Sequence, residues 1–338
     1  MTLLAREISM ILCGELGSEE YLRRMADPFW FQAFGCVLGF DWHSSGLTTT
    51  VCGALKAGLK NAGRDMGVFV CGGKGGTSRK TPSEIEELAE KRFIDRDPAG
   101  LVYASRMSAK VDNTAVQDGY QLYHHTFIVD KSGRWAVVQQ GMNDRTRWAR
   151  RYHWLGESVN DFVCEPHNAV CCDHKGEVLN MVARESEKAR EVSVEISRVN
   201  PEKVLEEYRR VEKLSLPAHH DIRGKEIRPE NLKKILLSTY EKRPGNFEEL
   251  LGIQGVGPRT IRALALISEL VYGEKPSLRD PARFSFAHGG KDGHPYPVNR
   301  SVYDGTISFL NDAVSRAKIG RSEKLKAFKR LTAYTSGV

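Results

Sequence analysis

Up to about residue 200, short apolar runs alternate with glycine turns; beyond it, apolar residues recur at helical spacing. Glu19–Gly39 begins as an amphipathic helix around Tyr21-Leu-Arg-Arg-Met25 and continues into an aromatic-rich buried piece, Phe29–Phe34. Leu47–Leu59 and Leu101–Asp118 read as helices. Thr81-Pro-Ser-Glu84 reads as a helix start, with proline in the first turn and acids behind it. Val68–Cys71 is a short buried strand running into the glycine-rich Gly72–Lys80. Tyr123–Val138 holds two apolar runs around Asp130-Lys-Ser-Gly133, and Asn168–Met181 repeats the pattern around Asp173-His-Lys-Gly176. Both predict a β-hairpin. In the second part, Pro201–Leu214, Pro229–Lys242, Val302–Ala317 and Ser322–Thr332 predict helices, with loops at Leu216–Asp221 and Pro276–Pro297. The expected fold class is α+β: a mixed domain over 1–200 with antiparallel hairpins, then an all-α domain over 201–338.

Residues 246–272 carry the most specific signal. Asn246–Leu251 predicts one helix and Gly252–Gly257 a hairpin. Pro258 sits at the first turn of a second helix running to Tyr272, where its missing N–H is no loss. Gly255 and Gly257 let the backbone turn and approach a ligand closely. The first N–H groups of the second helix lack internal partners and lie at the positive end of its dipole, a ready site for an anion. Arg259, Thr260 and Arg262 surround that end. The stretch resembles the helix-hairpin-helix family, which grips a DNA phosphate backbone without reading sequence. The plainer alternative is an αα-hairpin with a glycine turn.

Composition shifts the picture modestly. Fifty Lys and Arg against 43 Asp and Glu give a net charge of +7, which suits a polyanionic partner. Met1–Leu16 carries charge at Arg6, Glu7 and Glu15 and has no cleavage-type end, so no signal peptide is expected. No apolar run approaches the length of a membrane span. Seven cysteines without a secretory signal point to free thiols in the cytoplasm.

In DNA glycosylases of the helix-hairpin-helix type, a catalytic Lys stands at the start of the second helix in bifunctional members, and a catalytic Asp follows further on. Here Arg259 stands where that Lys would be, and arginine forms no Schiff base. The segment Pro297–Tyr303 resembles the one that carries the Asp, but position 299 is Asn; Asp304 lies five residues on. The resemblance implies a docking scaffold with its chemistry missing.

A wider resemblance spans Asp27 to Asp304. The segments Asp27–Gln32, Phe40–Gly46, Gly72–Gly75, Asp118–His125, Val137–Asn143, Arg150–Trp154 and Ser285–Gly293 are similar to a family of proteins found mostly in archaea and thermophilic bacteria, defined as a domain of unknown function. Its members often begin with a leader containing glycine and histidine, and the resemblance implies that this element is absent or replaced here. The family implies no mechanism, so chemistry must be sought in residues.

The first domain holds more polar residues than a scaffold needs. Asp41 and His43 flank a Trp; Asp112 and Asp118 lie near a helix end. His124 and His125 start a strand, so they point to opposite faces, and Gln139 and Gln140 end the paired strand. Carboxylates and imidazoles converging at strand ends would suit Mg²⁺ or Mn²⁺ activating water against a phosphodiester. Asp41, His43, Asp118 and His124 are the expected ligands or base, with Gln140 beside them and Lys74 and Arg79 holding phosphate. The plainer alternative has Asp41 and Asp118 as caps and the histidines bonded to backbone. Gly72–Ser78 lacks phosphate-loop spacing. Cys164–His174 offers three thiols and two imidazoles, but in no familiar zinc spacing, so zinc is not expected. Arg145–Trp154 alternates bases with aromatics, as a nucleotide-stacking surface or a helix with an aromatic core face would. Arg316–Arg330 is a basic face and a second candidate DNA contact. The favoured function is a DNA-processing protein that cleaves phosphodiesters with a divalent metal. The alternatives are a base-excision glycosylase and a non-catalytic DNA-binding adaptor, and a homodimer is compatible with each.

Overall fold

The structure, a computed structural model, describes residues 1–40, 46–212, 229–284, 290–291, 294–295 and 300–336. Helix α1 (Thr2–Ala26) contains a break at Gly17, φ 82°, which explains why a helix starting only near Glu19 is what the pattern predicts. Asp27 then caps α2 (Pro28–Leu38): its carboxylate accepts from the N–H groups of Phe29 at 2.8 Å and Trp30 at 2.9 Å, and Pro28 fills the first turn. Next come α3 (Leu47–Met66), β1 (Val68–Lys74), a 3-10 turn (Gly75–Lys80), α4 (Thr81–Glu90) and α5 (Pro98–Lys110). Helix α5 ends earlier than expected, in a π-helical turn over Val111–Ala115. Strands β2 (Val116–Gln117), β3 (Gln121–Asp130), β4 (Trp135–Met142), β5 (Ala149–Leu155), β6 (Ala169–Cys171) and β7 (Leu179–Asn180) follow. The further elements among the described residues are α6 (Glu187–Ser197), α7 (Pro201–Glu212), α8 (Pro229–Lys242), α9 (Phe247–Gly252), α10 (Pro258–Tyr272), the short strands β8 (Gly290–Lys291) and β9 (His294–Pro295), α11 (Arg300–Arg316) and α12 (Arg321–Ser336).

The fold is α+β around a five-stranded antiparallel sheet ordered β1-β3-β4-β5-β6. The first predicted hairpin forms, with Gly133 at φ 79° and its N–H bonded to Asp130 O at 2.9 Å. The second does not. β6 pairs with β5 and β7 with β2, while downstream chain takes the positions a hairpin would have filled: Cys172 N bonds Phe284 O at 2.9 Å, and Val178 N bonds Leu278 O at 3.1 Å. The Arg145–Trp154 stretch is also not a helix. Its second half is β5, buried at every position, because Tyr152 and Trp154 pack on one face of the sheet while Leu155 packs on the other.

Two apolar cores cover the two faces. One joins Val68, Ile128, Ala136, Val138 and Leu155 to α1, α2, α3, α11 and α12. The other joins Cys71, Phe127, Val137, Tyr152 and Trp154 to α4, α5 and α6 through α10. Packing therefore runs across residue 200: the first helices of the chain share a core with its last, and α10 closes on the same face as α5.

Candidate functional site

Local sequence builds the α9–α10 hairpin. Asn246 caps α9, accepting from Glu249 N at 2.9 Å, and the Glu249 carboxylate reaches back to Gly245 N at 2.6 Å. Gly255 adopts φ 92°, and buried Val256 pins the turn. Gly257 starts α10 without a side-chain cap, so no side chain competes for the first N–H groups of that helix. Arg259 is exposed there. Thr260 is buried, so its hydroxyl does not present to a ligand. Arg262 is half-buried, and its Nε donates to Gln117 Oε1 at 2.8 Å; Gln117 Nε2 in turn donates to Pro258 O at 2.8 Å, tying the hairpin to β2.

Gly255–Pro258 form one wall of a cleft of about 630 Å³. The opposite walls come from the 3-10 turn and the start of α4, from α5 with its π-helical turn, and from the first residues of β3. Three cations line it: Arg79, Arg106 and Lys110. Burial holds the Lys110 ammonium below its ordinary pKa. A register shift between Leu122 and His124 sets Tyr123 out of the β3–β4 ladder, and Leu122, Tyr123, His124 and His125 all reach the cleft.

The two histidines have different surroundings. His124 Nε2 lies 2.9 Å from Thr126 Oγ1, and its buried Nδ1 has no hydrogen-bond partner. Burial, then His125 and Lys74, push its pKa down to about 3. Lys74 stands opposite His124 in the β1–β3 register, with Nζ 6.0 Å from the centre of the Tyr123 ring. Gln140 faces His124 on β4 and donates to the Tyr123 hydroxyl at 2.6 Å; it is buried and does not line the cleft. His125 points the other way. Its Nε2 is 2.9 Å from Ser105 Oγ and its Nδ1 is 2.8 Å from Gln139 Oε1. Gln139 Nε2 continues to Asp112 Oδ2 at 2.6 Å, and Asp112 also accepts from Trp154 Nε1 at 3.0 Å and from His167 Nε2 at 2.5 Å. Burial lowers the His125 pKa, against the opposing pull of Gln139 and Asp112.

The expected metal ligands do not come together among the described residues. Asp41 and His43 lie outside them. Asp118 is locked in a buried cluster: Oδ2 accepts from Arg150 Nη1 at 2.9 Å and from the Tyr152 hydroxyl at 2.6 Å, and Arg150 also bonds Asp280 at 2.7 Å. Burial raises the Asp118 pKa despite Arg150 beside it. Its carboxylate is a partner for arginine, away from the cleft wall that His124 lines. No group of three or more His, Cys, Asp or Glu among the described residues is placed to hold a metal. All seven cysteines are free thiols, with Cys172 bonded to the Tyr120 hydroxyl at 3.2 Å. The glycine-rich loop is not arranged for a nucleotide: Gly72 N donates to Glu84 Oε2 at 2.7 Å and Lys56 Nζ donates to Gly72 O at 2.7 Å. Asn299 lies outside the described residues, and exposed Asp304 sits on α11, against the sheet face opposite α10.

Arg106, Lys110 and Ser105 were not singled out by the sequence. They are spaced as one face of α5 but are read as ordinary helix residues until the hairpin is placed across from them. His167 is visible in the sequence only as one imidazole of the Cys164–His174 cluster; its pairing with Asp112, 55 residues away, has no local signal.

No helix among the described residues is long and apolar enough to cross a membrane. No curated protein and no solved structure matches this chain. One likeness extends over most of the sequence: the chain belongs to the family described as "Protein of unknown function (DUF763)", whose profile matches residues 1–298.

Proposed function

We propose that this protein binds DNA by its phosphate backbone in the cleft between the α9–α10 hairpin and the start of β3, and that it processes the phosphodiester held there. The observation that carries this reading is the meeting of independent features on one cavity. Gly255–Pro258, Arg79, Arg106, Lys110 and the two histidines of β3 come from distant parts of the chain and line the same 630 Å³. An uncapped helix start with exposed Arg259 supplies N–H donors and positive charge. Cations from α5 and the 3-10 turn supply further phosphate contacts, and such contacts hold the backbone without reading bases. Divalent metal as a cofactor stays a part of the proposal that the described residues do not build.

The test is fluorescence anisotropy with labelled duplex and single-stranded DNA. Arg79→Ala, Arg106→Ala and Arg259→Ala are each expected to weaken binding about equally across sequences. Arg321→Ala, in the exposed basic face of α12, is expected to leave it unchanged. The reverse ranking would move the DNA to α12 and refute the cleft.

A further inference from the structure

The polar chain behind the cleft has a fixed direction. Trp154 Nε1 can only donate, so at 3.0 Å Asp112 Oδ2 is an acceptor. The carboxylate then takes the amide N–H of Gln139 at 2.6 Å, which leaves Gln139 Oε1 facing His125 Nδ1 at 2.8 Å. An amide oxygen accepts only, so Nδ1 carries the proton. In a neutral imidazole the lone pair is then on Nε2, 2.9 Å from Ser105 Oγ, and the serine hydroxyl must donate to it. Three observations separate this chain from an ordinary buried network. Ser105 and His125 both form part of the cleft wall. The Asp112 end is set by a π-helical turn, a local irregularity that costs helix regularity and frequently marks functional sites. Cations stand next to the serine on the same helix, Arg106 and Lys110, where a phosphate would lie.

We propose that Ser105 is a nucleophile activated by His125, with Gln139 and Asp112 as positioning residues that hold the imidazole in the accepting tautomer, and that its substrate is a phosphodiester held in the cleft. The substrate class rests on the DNA-binding reading; the activated serine does not. In the first step the Ser105 proton passes to His125 Nε2 as the Oγ–P bond forms. The P–O bond to the departing nucleoside breaks on the far side, and its oxygen takes a proton from solvent. In the second step water attacks the phosphoserine and releases its proton to solvent. The Oγ–P bond breaks, and Ser105 recovers its proton from His125. The sum is one phosphodiester and one water giving a phosphomonoester and an alcohol.

The experiment treats the full-length protein with a fluorophosphonate probe and maps the adduct by mass spectrometry, with DNA binding measured in parallel. The expected adduct is on Ser105. It is absent in Ser105→Ala, and in His125→Gln its rate of formation falls by about 100-fold or more, the range of a lost general base. Asp112→Asn is expected to slow labelling and to move its pH midpoint downward, since the Asp112 charge supports the protonated imidazole; a purely structural role would move neither. Wild-type protein unlabelled at Ser105, or labelled equally fast in His125→Gln, overturns the proposal while DNA binding stands. Labelling of Ser105 in a protein that binds no DNA overturns the phosphodiester as substrate, together with the proposed function.

Discussion

Asp118 and Arg150 face each other inside the protein with both side chains 1% exposed. A carboxylate before a strand start is what a metal site would offer, and sequence alone cannot separate that role from an ion pair. The separation depends on Arg150, which lies 32 residues away in a run of bases and aromatics that suggested exposure. Removing one partner of a buried pair leaves an uncompensated charge. Asp118→Ala is therefore expected to destabilise the protein by about 3–5 kcal/mol, with Asp280 retaining part of the Arg150 contact. Urea unfolding measures this. A loss under 1 kcal/mol would show that the cluster is not structural, and lost activity in this variant would not by itself identify a ligand.

At the scale of elements, the sequence was most legible where a backbone demand meets one residue type. The Asp130–Gly133 turn and the Gly255 turn lie where the pattern placed them, while Asn246, read as the first residue of a helix, is its cap. Legibility failed where an element is defined by its partners. The β6–β7 hairpin was lost to the segment 277–284, and β5 was obscured because buried arginines look like surface residues. Gly72 shows the same contrast. It opens a glycine-rich stretch that lacks phosphate-loop spacing; its backbone has φ 84°, and a Cβ would come within 2.3 Å of His125 O and 2.5 Å of Thr81 Oγ1. The residue is small so that β1 can lie against β3 and the start of α4. Gly72→Ala is expected to cost about 2 kcal/mol or more, from a strained φ and overpacking together. A melting temperature within error of wild type would contradict that packing.

At the scale of the whole molecule, the sheet carries three buried neutral histidines between two helical layers: His124, His125 and His153. Burial lowers the pKa of each. At His153 the neighbouring Arg151, whose Nε donates to His153 Nε2 at 2.7 Å, acts in the same direction. The unfolded chain takes up protons near pH 6.5 while the folded protein does not. Their contribution is therefore fully present above that pH and is lost as pH falls below it toward the folded values. His124, whose folded pKa is about 3, alone costs about 1 kcal/mol between pH 7 and pH 5.5, and His125 and His153 act in the same direction. Denaturant midpoints across this range should fall accordingly. A midpoint constant to pH 5.5 would mean that these imidazoles are not held neutral.

The cleft itself was only half legible. The hairpin, Arg79 and His124 were visible as separate motifs, but that they face one another follows from α10 packing on the same sheet face as α5. The most direct measurement is the salt dependence of DNA affinity for wild-type protein and for Arg79→Ala and Arg259→Ala. A cleft that neutralises phosphates predicts that log affinity falls linearly with log salt, and that each variant reduces the slope by about 1. Absence of DNA binding at low salt, or slopes identical in all three proteins, would contradict the assignment of this cleft to the DNA backbone.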